Sequence, residues 1–110
     1  MASNAQSAMS DALNRMWVRF LPQIHQRVDT LVAAAQAFAA GELSEERKQE
    51  AESEAHKLAG VLGTFGLTRG TELARELEIS YAQSNDSDAE LAARLATTAA
   101  ELRTIVSERK

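Results

Sequence analysis

Apolar residues recur along this chain at spacings of three and four, the period of a helix with one buried face. One stripe runs through Ile24, Val28, Leu31, Ala35 and Phe38. A second runs through Ala51, Ala55, Leu58, Leu62 and Phe65, a third through Leu73, Leu77 and Tyr81, and a fourth through Leu91, Leu95, Leu102 and Ile105. No segment shows the alternation of a half-buried strand. Ahead of the first stripe, Ser10-Asp11 reads as the cap of a short helix carrying Leu13, Met16, Trp17 and Phe20. Pro22 has no backbone N–H to donate, so a break or kink is expected near Phe20-Leu21, unless Pro22 opens the next helix. Residues 1–8 are small and polar and are expected to form a flexible N-terminus, with 9–110 as one helical domain.

Local signals mark the ends of these helices. Gly41 closes the first stripe. Ser44 reads as an N-cap, with Glu45 and Glu46 in the first turn, where the helix dipole favours them. Gly66 reads as a C-cap and Thr68 as the next N-cap, while residues 84–88 (SNDSD) form a polar loop. Ser87-Asp88-Ala89-Glu90 has the form of a capping box. The connections near 42, 67 and 85 are short, which makes consecutive helices antiparallel neighbours. The expected fold is all-α: an antiparallel up-down four-helix bundle with a short extra N-terminal helix.

Composition narrows the function. The chain has 110 residues, 45% hydrophobic and 25% charged, which is one globular domain. A net charge of −4 with no basic block argues against nucleic acid. No cysteine is present, so disulfide, thiolate and zinc-thiolate chemistry is excluded. The start has no basic region followed by an apolar run, and no apolar run reaches membrane-spanning length. A cytoplasmic protein with no membrane partner is expected.

Four of the five glycines crowd into 55–70, "AHKLAGVLGTFGLTRG", beside one histidine. At about 100° per residue, His56 falls roughly 150° from the centre of the second stripe, so it is expected to face solvent. Gly60 and Gly63 are four and seven residues on, and Ala59 is three on; together they leave the histidine's own face bare. Glu52 and Ser53 lie one turn back on that face. A glycine in a helix interior costs about 1 kcal/mol relative to alanine. The fold gains nothing obvious from that loss, whereas a partner surface gains room to approach the imidazole.

These residues resemble the signature of histidine-containing phosphotransfer (HPt) domains of bacterial two-component phosphorelays. The matching positions are Ala55-His56, Leu58, Gly60, Gly66 and Leu77-Glu78, across two of the four helices. The resemblance implies that His56 is the phosphoacceptor, exchanging a phosphoryl group with the receiver-domain aspartate of a response regulator or receiving it from a hybrid histidine kinase. It implies a phosphocarrier without independent enzymatic activity and without a cofactor or metal of its own, magnesium being expected on the partner's receiver. Lys57 is a candidate to reach the phosphoryl oxygens as a point charge. Glu78 is a candidate to hold the Nδ1 hydrogen, leaving Nε2 free to attack. The docking face would comprise Gly60, Gly63, Ala59, Glu52 and Ser53. Many members of the family carry a lysine three residues after the histidine; here that position is Ala59. A docking or dimerisation module of the same shape, using the Gly60/Gly63 face without phosphate, is the alternative. The Glu-x-x-His pattern of di-iron bundles fails at His56 and at His25, where Ser53 and Pro22 stand three residues back.

Overall fold

In the computed structural model, residues 2–83 and 89–109 are described, residues 2–6 as backbone only. Four helices follow one another: α1 (Ala2–Ala39), α2 (Glu45–Thr64), α3 (Thr68–Gln83) and α4 (Ala89–Glu108). Each packs on two neighbours, in the cyclic order α1, α2, α3, α4, with no diagonal contact among the described residues. The expected all-α four-helix bundle is present.

The caps fall largely where the side chains place them. Ser44 is the N-cap of α2, its side chain accepting from the Arg47 N–H at 3.1 Å. α1 and α2 both end in a Schellman turn around a left-handed glycine. At Gly41 (φ 71°), Glu42 N–H reaches Ala37 O and Gly41 N–H reaches Phe38 O. At Gly66 (φ 73°), Leu67 N–H reaches Leu62 O and Gly66 N–H reaches Gly63 O. Thr68 is not a cap residue, because α3 begins at Thr68 itself. Residues 84–88, with the expected polar loop and half of the expected capping box, lie outside the described residues.

Two features of α1 differ from the sequence reading. The short N-terminal helix is not separate: α1 is one helix of 38 residues, and Pro22 lies inside it. Proline removes the N–H that would bond the carbonyl of Val18, four residues back. Val18 and Pro22 are both exposed, so that carbonyl is on the solvent side and water can satisfy it. At 1.5 Å per residue α1 is about 57 Å long, against roughly 24–30 Å for the other three. It sets the 57 Å long axis of the molecule.

The core joins the stripes of all four helices: Trp17, Ile24, Val28 and Leu31 from α1; Leu58 and Leu62 from α2; Leu73, Leu77 and Tyr81 from α3; and Leu95, Leu102 and Val106 from α4. In α4 the fully buried position is Val106, and the expected Ile105 is only half-buried. Arg103 pairs with Asp29 at 3.0 Å and Arg109 bonds Asn14 at 3.3 Å, so α4 runs antiparallel to α1. One end is closed by Trp17, packed edge-to-face on Phe65 with centroids 5.1 Å apart, under the Arg109 guanidinium. No helix of the described residues is long and apolar enough to cross a membrane.

Candidate functional site

His56 is placed by its neighbours on α2. Ala55 and Leu58 are fully buried, so the helical turn swings residue 56 outward. Its side chain is 74% exposed, which leaves one edge of the ring open to a partner. On α3, Leu77 is buried in the same way, and the next residue, Glu78, stands half-buried at the rim. The Glu78 carboxylate meets Nδ1 of His56 at 2.9 Å. An ionised carboxylate only accepts, so Nδ1 carries the hydrogen. In a neutral ring the lone pair then sits on Nε2.

The α2–α3 seam is lined with small residues: Ala55, Ala59 and Ala74 are all buried along it. Thr71 Oγ1 comes within 3.4 Å of the Ala59 carbonyl. That close packing brings the Glu78 carboxylate within reach of His56. Ala59 was expected on the bare docking face, and the structure corrects this: it is 4% exposed and covered by α3. Residue 59 lies about 60° from His56 toward the core, on the flank where α3 packs. With Ala59 buried, the apolar stripe is wider than the sequence reading, and His56 stands at its α3 edge.

The other expected docking residues divide. Gly60 is exposed, and a Cβ there would meet nothing within 4 Å. Ser53 is exposed and Glu52 half-buried. Gly63 is exposed but lies against α3, where a Cβ would stand 3.6 Å from Thr71 Oγ1. Gly70, the remaining glycine of the cluster, is buried, and a Cβ there would come within 3.0 Å of Leu62 Cδ1. It serves the packing of α3 onto α2. Lys57 is exposed and makes no hydrogen bond or ion pair among the described residues. Adjacent helical residues do not face each other, so it diverges from His56 by about 100°. Among the described residues no group of three or more His, Asp or Glu is arranged to hold a metal ion. His25 is half-buried on α1, away from this seam.

The Hpt domain family matches residues 15–106. Protein RcaC of Microchaete diplosiphon is 36% identical over 76 residues, which is 69% of this chain and 12% of that protein. The chain thus spans a small fraction of the curated relative it matches. No solved structure matches significantly. With the family matched over nearly all of the bundle, the chain belongs to the Hpt domain family, the phosphotransfer modules of two-component signalling.

Proposed function

We propose that this chain is a cytoplasmic phosphorelay intermediate that accepts a phosphoryl group on Nε2 of His56 from the receiver-domain aspartate of a response regulator, or from a hybrid histidine kinase, and passes it on. The observation that carries the reading is the pairing of Nδ1 with Glu78 on a ring that is otherwise exposed. The Nε2 lone pair attacks phosphorus in line, an N–P bond forms, and the P–O bond to the aspartate breaks. The bonding pair returns to the aspartate carboxylate. The ring becomes an N-phosphoimidazolium that keeps its Nδ1 hydrogen, and the Glu78 carboxylate offsets its charge. Gly60 leaves the approach side open, and positioning by the partner supplies much of the rate. Magnesium belongs with the partner's acyl phosphate.

The test is a transfer assay. Receiver domains carrying radiolabelled phosphate are mixed with the wild-type chain and with His56→Gln. Acid-labile, alkali-stable label on the wild type alone is the expected result. Receivers that bind both proteins equally and label neither would favour a docking module that does not carry phosphate.

A further inference from the structure

We propose that Arg75 binds the phosphoryl group carried on His56, supplying from α3 the positive charge that Ala59 does not supply from α2. The inference rests on the phosphoacceptor reading above.

The register between α2 and α3 locates the residue. His56 lies opposite Glu78, and Gly63 lies opposite Thr71. Seven residues forward along α2 therefore match seven back along α3. Ala59, three on from His56, lies opposite the residue three back from Glu78, which is Arg75. Arg75 is exposed and sits about one turn from Glu78 on the same side of α3. Gly60, one turn on from His56, carries no side chain that could obstruct the approach to the imidazole.

The other cations near the seam are engaged or turned away. Arg69 is held by Glu101 and Glu72. Arg47 is nine residues before His56 on α2, roughly 13 Å away along the axis. Lys57 points to the flank away from α3. Arg75 makes no hydrogen bond or ion pair among the described residues, so its guanidinium is available to an anion.

Charge supplies the reason for such a contact. A phosphoryl group brings close to two negative charges at neutral pH. Glu78, already at the ring, and Glu52, one turn back on α2, are both acidic and oppose that charge. A forked guanidinium offsets it and holds two phosphoryl oxygens at once.

The test uses the chain phosphorylated chemically with phosphoramidate, so that no receiver is needed. The phosphorus NMR shift of phosphohistidine is followed with pH in the wild type, Arg75→Gln, Arg75→Lys and, as a distant charge control, Arg94→Gln. A bound cation favours the dianion, so Arg75→Gln is expected to raise the phosphoryl ionisation by about half a unit to one unit. Arg75→Lys should recover part of the shift, and Arg94→Gln should titrate with the wild type. Arg75→Gln titrating with the wild type would overturn the proposal. In transfer from a receiver, the expected change is a fall of about tenfold in the saturating rate, with half-saturation little changed. The reverse pattern would make Arg75 a docking residue and also overturn it. A wild type that takes no phosphate from any receiver defeats the phosphoacceptor reading, while the phosphorus titration still decides Arg75.

Discussion

Gly60 and Gly70 are both helical glycines, and the structure gives them opposite roles. At Gly60 an added methyl meets nothing within 4 Å, and the backbone is not in the left-handed region. Alanine there gains the helix preference that glycine forgoes, about 1 kcal/mol. For a domain of this size that is a rise in melting temperature of about 4 °C. At Gly70 the methyl would stand 3.0 Å from Leu62 Cδ1, with Ile105 Cγ2 at 3.5 Å and Leu67 Cβ at 3.6 Å on its other sides. Leu62 is fully buried, so little space exists for it to retreat. Overpacking of this kind costs about 1–3 kcal/mol, and near the start of α3 the propensity gain is small. Thermal and urea unfolding of Gly60→Ala and Gly70→Ala should move in opposite directions. Gly60→Arg should block transfer from a receiver yet leave chemical phosphorylation by phosphoramidate in place. A Gly60→Ala variant that melts at or below the wild-type temperature would show that the fold itself needs this glycine. Gly60 would then be kept for the fold rather than for a partner.

Three further outcomes follow from other contacts. Glu78→Gln keeps an oxygen that accepts from Nδ1 but loses the offsetting charge and should cost only a few-fold in transfer rate, whereas Glu78→Ala loses both and should cost about tenfold or more; wild-type rates in both variants would remove Glu78 from the site. Burial pushes the Tyr81 phenol up to about 12. An unfolded tyrosine titrates near 10, so between pH 10 and 12 the folded chain holds a proton that the unfolded chain has lost, and stability falls by roughly 2–3 kcal/mol as pH rises through that window. Urea unfolding at pH 8, 10 and 11 should show that slope in the wild type and not in Tyr81→Phe; parallel curves would refute it. Trp17→Ala removes the ring that packs on Phe65 and lies under Arg109 and should cost about 3–5 kcal/mol, a loss below 1 kcal/mol being inconsistent with the packing described.

Much of this was legible in the residues because it depends on local chemistry. Gly41 and Gly66 close helices because only glycine takes a positive φ cheaply, and Ser44 opens one because its hydroxyl reaches an orphan N–H. His56 next to buried Ala55 could be placed outward from the period alone. What was not legible depends on what lies across a seam. Pro22 does not interrupt α1, because the carbonyl it orphans faces water, and burial is a tertiary property. Ala59 lies close to His56 by spacing, yet α3 covers it. Arg75 carries no local signal: only the register fixed by Glu78 and Thr71 brings it level with Ala59. Its exposed position in a sequence with other arginines gave no reason to single it out.

In the proposed phosphotransfer, Nε2 of His56 takes the phosphoryl group while Nδ1 keeps its hydrogen on Glu78. The direct measurement is long-range nitrogen–proton and nitrogen–phosphorus NMR of the nitrogen-15-labelled chain after phosphorylation by a receiver. The expected result is a phosphorus coupling to Nε2 of His56 and a protonated Nδ1. Phosphorus on Nδ1, or on any residue other than His56, would contradict it.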